Sequence, residues 1–262
     1  MNGTINAIND INGDEGIGIY VNGNIQHENN SPIINLSDTA NITSTGNGIY
    51  AAGYATYNIN GAHISGVEAA LGIKSGIFNI LDGTIIGTGE DKTPTTGNNN
   101  GINASGTDIQ IESNPGYAGN IELNITKGTI RSNHSNVIYE YTVNTSKTNV
   151  KAININGGTY VSEDNKPVFL LSDNFKQTHK KFISGGTFSS DPSLYLKGGY
   201  TVTKNNKSLY EVITSTISVF GLKNQNNNFS LLSLLKLIPL IAIVIIIYIY
   251  REKIINLFKR KF

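Results

Sequence analysis

The sequence predicts an all-β chain: a parallel, right-handed β-helix solenoid, closed by a C-terminal hairpin cap and followed by one transmembrane α-helix. Three observations predict it. A motif recurs five times between Tyr57 and Ser190, a second motif runs out of phase with the first, and an unbroken apolar run lies near the C-terminus. Self-similarity at a period of 20 to 50 residues is the mark of stacked structural repeats, because one repeat cannot bury its apolar side alone.

The first motif reads Tyr57-Asn58-Ile59-Asn60-Gly61-Ala62-His63-Ile64, then Phe78-Asn79-Ile80-Leu81-Asp82-Gly83-Thr84-Ile85. It returns as Leu123-Asn124-Ile125-Thr126-Lys127-Gly128-Thr129-Ile130 and as Ile153-Asn154-Ile155-Asn156-Gly157-Gly158-Thr159-Tyr160, and ends with Lys181-Phe182-Ile183-Ser184-Gly185-Gly186-Thr187-Phe188. Successive central isoleucines lie 21, 45, 30 and 28 residues apart. Short β-branched runs separated by Asn-Gly, Asp-Gly and Gly-Gly read as strand, tight turn, strand. The second motif is Gly18-Ile19-Tyr20, Gly48-Ile49-Tyr50, Gly72-Ile73-Lys74 and Gly101-Ile102-Asn103, with looser forms at Val137-Ile138-Tyr139 and Val168-Phe169-Leu170. Together they predict three short strands per coil.

Strand side chains alternate between faces, and neighbouring strands lie about 4.8 Å apart. Tyr57, Ile59 and Ile64 are therefore expected to stack on Phe78, Ile80 and Ile85 inside the coil. Asn58, Asn79, Asn124 and Asn154 fall on the opposite face and are expected to form an amide ladder between rungs.

The chain opens inside a repeat, since Gly3-Thr4-Ile5 falls where Gly83-Thr84-Ile85 falls. The expectation is that these residues continue a longer protein with further rungs and a secretion signal upstream. Between Ile80 and Ile125, a Pro/Gly/Thr/Asn stretch at 90–100 precedes Asp108-Ile109-Gln110-Ile111-Glu112, which is either an extra rung or the end of an insertion within one rung. After Phe188, Ser190-Asp191-Pro192-Ser193 makes a turn. Tyr200-Thr201-Val202 and Leu209-Tyr210-Glu211-Val212 flank Lys204-Asn205-Asn206-Lys207 as a terminal hairpin whose lysines blunt the open edge. The expected organisation is repeats over 1–190, the hairpin cap over 191–212, an Asn-rich linker over 213–228, the membrane helix over 229–250 and a basic tail over 251–262.

Composition narrows the function classes. Disorder needs low hydrophobicity with high net charge, whereas 39% of these residues are hydrophobic and the net charge is +1. The absence of cysteine removes disulfides, thiolate metal sites and cysteine nucleophiles. The charge is divided: residues 1–235 carry 14 Lys+Arg against 18 Asp+Glu, while Arg251, Lys253, Lys259, Arg260 and Lys261 face only Glu252 at the end. No basic patch suited to a phosphate backbone occurs in the repeats, so no nucleic-acid partner is expected.

The 22 residues of 229–250 are long enough to cross a hydrocarbon layer of about 30 Å as a helix. Lys236 near one end can snorkel to the interface. The basic residues that follow predict a cytoplasmic C-terminus and extracellular repeats. The expected location is the cell membrane, single-pass, with the lipid bilayer as partner.

Catalysis on such a scaffold needs paired carboxylates, or a carboxylate-bound cation beside a base. Asp82, Lys127, Arg131, Glu163 and Asp164 are the outward candidates, but the sequence pairs none of them. His27, His63, His134 and His179 show no metal-ligand spacing, and His63 takes the place of Thr84, Thr129, Thr159 and Thr187. No catalytic, cofactor-binding or metal-binding residue is expected, and no cofactor. Tyr20, Tyr50, Tyr139 and Tyr160, read as exposed, are candidates to stack on sugar rings. Asn41, Asn124 and Asn228 stand in Asn-x-Ser/Thr sites.

The run from Phe182 to Leu196 followed by Gly199-Tyr200 resembles the end of repeat regions in large surface proteins of low-GC Gram-positive bacteria. The Ile-Asn-Gly-Gly-Thr copies resemble their pectate-lyase-like parallel β-helix repeats. The repeats, the outside orientation and the lack of catalytic pairs predict a non-enzymatic, membrane-anchored surface protein, a structural stalk or adhesin, with extracellular glycans or a host surface as its candidate partners. The chain lacks the Leu-Pro-x-Thr-Gly sorting motif common in such proteins, so the helix itself is the expected anchor. The alternative is a polysaccharide lyase or glycoside hydrolase of the same fold whose active rungs lie elsewhere.

Overall fold

Alternating polar and apolar residues make strands with one face to bury, and in this chain the strands bury it against one another in coils. The computed structural model describes residues 3–9, 16–23, 31–93, 104–114, 116–117, 119–143 and 148–215. The predicted membrane helix, the basic tail, all but the first residues of the predicted linker, most of the 90–100 stretch and His27 lie outside the described residues. Among the described residues no helix is long and apolar enough to cross a membrane.

Among the described residues the strands are interrupted before the C-terminal cap by one short α-helix. In order, the chain runs through β1 (Gly3–Ala7), β2 (Ile19–Val21), β3 (Ile33–Ser37), β4 (Ala40–Ser44), β5 (Asn47–Ala51), β6 (Thr56–Gly66), β7 (Ala69–Ile73) and β8 (Gly76–Gly87). It continues through β9 (Thr107–Ser113), β10 (Ile121–Ile125), β11 (Thr129–Ser132), β12 (Ile138–Thr142), β13 (Val150–Ser162) and β14 (Phe169–Leu171). A short helix α1 (Asp173–Thr178) then leads to β15 (Ile183–Phe188), β16 (Tyr200–Lys204) and β17 (Tyr210–Thr214). One parallel sheet orders β1-β4-β6-β8-β10-β13-β15, with β3 and β11 as separate arms; the other orders β14-β12-β9-β7-β5-β2. The chain visits the two sheets in turn, so each coil adds one layer to both, which is the arrangement of an all-β solenoid.

The predicted interior files are present. Ile59, Ile80, Ile125, Ile155 and Ile183 pair in succession, each fully buried. Ile64, Ile85, Ile130, Tyr160 and Phe188 form the next file. Tyr57 stacks on Phe78 with ring centroids 4.1 Å apart, and Tyr160 on Phe188 at 4.7 Å. At the N-terminal end Ile5 pairs with Ile42 and Ile42 with Ile64, which places Gly3-Thr4-Ile5 at the repeat position expected for it.

Four expectations need correction. The turn between the two halves of the motif is a bend inside a continuous strand in β6, β8, β13 and β15, with the register shifting there. Gly83 makes one such bend at φ +136°, where a Cβ would sit 2.5 Å from the carbonyl oxygen of Ala62. Second, the motif has a sixth copy, Ile34-Asn35-Leu36 followed by Ala40-Asn41-Ile42, with Leu36 paired to Ile59. Third, Ile49 pairs with Leu71 rather than with Ile73, and Leu71 pairs with Ile109. The 108–112 run is thus the regular second-sheet strand of its coil, preceded by an insertion, and not an extra rung. Finally, α1 was not expected: the Ser172 hydroxyl caps it by accepting from Phe175 N, and buried Phe175 anchors it.

The cap follows the prediction. β16 and β17 form an antiparallel hairpin, and β17 continues the first sheet by pairing with β15. The hairpin reaches Thr214, two residues beyond the expected boundary. Phe182 packs against Tyr195 at 5.1 Å and edge-on to Phe169 at 5.6 Å, so an aromatic cluster closes the end of the core.

Asn58 donates through Nδ2 to Asn35 Oδ1 at 2.8 Å, and Asn79 to Asn58, Asn124 to Asn79 and Asn154 to Asn124 follow at 3.0 Å each. Every amide points the same way along the ladder, and Lys197 Nζ donates to the last acceptor, Asn154 Oδ1, at 3.2 Å. Aligned amide dipoles accumulate partial negative charge at that end, which an ammonium offsets. Asn79→Ala removes two of these bonds, and at about 0.5–1.5 kcal/mol net for each, a loss of about 1–3 kcal/mol in urea unfolding is expected. An unchanged midpoint would mean that the amides are as well satisfied by water.

Candidate functional site

The candidates named from the sequence are scattered by the fold. Arg131 pairs with Glu163 at 3.4 Å and His134 with Asp164 at 3.2 Å, all four exposed. Exposed pairs of this kind contribute about 0–1 kcal/mol. Asp82 accepts from Gly83 N at 2.8 Å. Asp82 and Lys127 line a shallow open groove of about 410 Å³ together with Thr129, Thr159, Thr187 and Glu211. His63 stands beside Thr84 in that outward threonine file, as expected, and His179 stacks on Phe175 at 4.5 Å. No group of three His, Asp or Glu residues that could hold a metal occurs among the described residues.

The tyrosines divide. Tyr160 is fully buried in an interior file, and Tyr50 is only 6% exposed; neither presents a face to solvent. Reading them as exposed failed because Tyr160 follows a Gly-Gly bend that reverses the strand's alternation, and because Tyr50 is overlaid. Tyr20, 55% exposed, stacks on Tyr50 at 5.5 Å. Tyr20 and half-buried Tyr139 remain as sugar-stacking candidates.

The most concentrated chemistry lies on the outer face of the second sheet. There β9 points Asp108, Gln110 and Glu112 away from the core while Ile109 and Ile111 point inward, and all of them are buried. Lys74, just after β7, comes alongside Glu112: Nζ lies 2.8 Å from Oε2, with the two side chains 2% and 1% exposed. Lys74 Nζ also donates to Tyr117 Oη at 3.3 Å and lies 5.3 and 5.0 Å from the ring centroids of Tyr50 and Tyr117. Tyr141 Oη donates to Glu112 Oε2 at 2.9 Å, and Gln110 Nε2 donates to Tyr141 Oη at 3.4 Å.

Two asparagines complete the cluster. Asn114 Nδ2 donates to Glu112 Oε1 at 3.4 Å, and Asn114 Oδ1 accepts from Gly116 N at 3.0 Å. Asn149 Oδ1 accepts from Asn114 N at 3.1 Å while its Nδ2 donates to Lys74 O at 3.3 Å. A buried ion pair persists only where further hydrogen bonds satisfy both partners, and these residues supply them. Burial pushes the Tyr117 hydroxyl above its ordinary range against the opposing pull of Lys74, so it stays protonated at neutral pH. Asp108, at the other end of β9, is likewise raised by burial, with Gly87 N and Arg131 pulling the other way.

Sequence reasoning missed this cluster. Lys74 and Glu112 are far apart in the chain, and the insertion between their strands hides the register that sets them side by side. The usable signal was Asp-Ile-Gln-Ile-Glu itself, an outward polar file in a strand whose neighbours carry tyrosines at the same face.

No protein-family model, curated protein or solved structure matches this chain.

Proposed function

We propose that this chain is a membrane-anchored extracellular surface protein whose right-handed parallel β-helix serves as a stalk or adhesin-like ectodomain, without enzymatic activity. One observation carries the reading: the regularly placed polar side chains are directed from rung to rung. The asparagine ladder, the Lys151–Glu122 pair at 2.7 Å and the buried Lys74–Glu112 pair each join successive coils. A scaffold that spends its polar groups on stiffness suits a support better than a reaction site.

The anchor reading is supported by the apolar run from Phe229 to Tyr250 and the basic residues after it, which hold the C-terminus in the cytoplasm. Tyr20, Tyr139 and the threonine-lined groove supply the polar and aromatic surface that a glycan contact uses. The resemblance to pectate-lyase-like repeats of Gram-positive surface proteins agrees with the same reading.

The test is to express the full chain and a variant lacking 229–250, each behind a bacterial secretion signal, in a bacterial host. The full chain is expected to resist extraction from membranes by alkaline carbonate, with its repeats open to protease on intact cells, and the deletion to be released. Incubation with a panel of polysaccharides is expected to give no shortened products. Turnover of any of them would favour a lyase or hydrolase, and release of the full chain by carbonate would end the anchor reading.

A further inference from the structure

The buried cluster on the second sheet has the parts of a reaction within the chain. Lys74 carries a nucleophilic nitrogen held in an aromatic cage between Tyr50 and Tyr117. Asn114 carries a carboxamide whose oxygen accepts from Gly116 N at 3.0 Å, so a backbone donor already sits where charge would develop on that oxygen. Glu112 touches both: Oε2 lies 2.8 Å from Lys74 Nζ, and Oε1 accepts from Asn114 Nδ2 at 3.4 Å. A single carboxyl group therefore contacts the attacking nitrogen and the leaving nitrogen. Lys74, Glu112 and Asn114 are all buried.

We propose that Lys74 and Asn114 become joined by an amide bond, formed by the folded chain itself with Glu112 as proton carrier. The Lys74 ammonium passes a proton to Glu112, and the freed lone pair adds to Cγ of Asn114. The oxyanion that forms on Oδ1 is met by Gly116 N–H. Glu112 returns the proton to Nδ2, the Cγ–Nδ2 bond breaks with its electron pair on nitrogen, and the carbonyl re-forms. Glu112 then relays the remaining proton from the attacking nitrogen to the departing group. One N–C bond forms, one C–N bond breaks and one ammonia leaves; nothing is oxidised or reduced. The product ties β7 to β9 covalently across two coils.

The experiment is intact-mass spectrometry of the full-length chain, denatured after folding. The mass is expected to fall below the sequence mass by one ammonia, and digestion should release a branched peptide joining the Lys74 segment to the Asn114 segment. Glu112→Gln and Asn114→Ala, each checked for retained β-structure by circular dichroism, should restore the sequence mass and lose the branched peptide. A wild-type mass equal to the sequence mass overturns the proposal and leaves a simple ion pair. Loss of ammonia that persists in Asn114→Ala overturns it as well. The wild-type reading decides the matter whether or not either variant folds.

Discussion

Replacing Ile125 by alanine is expected to lower the unfolding free energy by about 2–5 kcal/mol, and replacing it by aspartate to abolish cooperative folding of the repeats. Ile125 is fully buried, with Ile80 on one side of its file and Ile155 on the other. Stability in a stack of repeats is close to a sum of each repeat and its contacts with its neighbours, so a lesion in the middle weakens two interfaces at once. An aspartate there would hold a carboxyl group among isoleucines with no donor to satisfy it. Ile5, half-buried in the first coil, should tolerate alanine far better. Urea unfolding followed by circular dichroism measures both. An Ile125→Ala variant within about 1 kcal/mol of the parent would show that the file does not carry the load assigned to it.

The first sheet was legible because its repeats combine two independent signals, an isoleucine in a fixed place and a glycine bend after it. Where one signal is replaced, the reading failed. Ser37-Asp38-Thr39 stands where every other copy has a glycine, and Leu36 stands in for isoleucine, so the coil of β3 and β4 went unseen. The second sheet has short strands and no glycine bend to fix the register, and a slip of two residues kept Ile73 on the correct face while assigning it the wrong partner. Buried Tyr50 and the Lys74–Glu112 cluster were illegible for another reason. Outward strand positions look solvated in sequence, but here loops lie over them, and nothing in a strand's own alternation announces its cover. The helix α1 is short, with a single buried residue, so its one local sign was the Ser172 cap followed by Asp173.

The same slip between pattern and environment yields the second large effect, at Glu140. Its place in β12 pairs with Ile111 on one side and Leu171 on the other, so a carboxyl group occupies an interior file otherwise filled by aliphatic side chains. Ser172 donates to its Oε2 from N at 3.0 Å and from Oγ at 2.7 Å, and Thr142 Oγ1 donates to Oε1 at 3.4 Å. Burial raises the Glu140 pKa, and the bonds from Ser172 and Thr142 together with Lys176 only partly oppose it. The folded chain therefore keeps a proton that the unfolded chain has released above a pH of about 4.3. A group of this kind contributes most below its unfolded pKa, and its contribution is lost as pH rises through the raised folded value. Glu140→Ala, which removes the packed carboxyl group, should thus cost about 2–4 kcal/mol at pH 4 and progressively less towards neutral pH. Glu140→Gln keeps the shape without the titration, and it should match the parent at pH 4 and exceed it at pH 7. Only the difference between parent and variant isolates this group, because buried Asp108 titrates with the same sign. Unfolding curves at several pH values between 4 and 8 measure that difference. Parallel profiles for the parent and Glu140→Gln would mean that Glu140 ionises as freely inside the coil as in water.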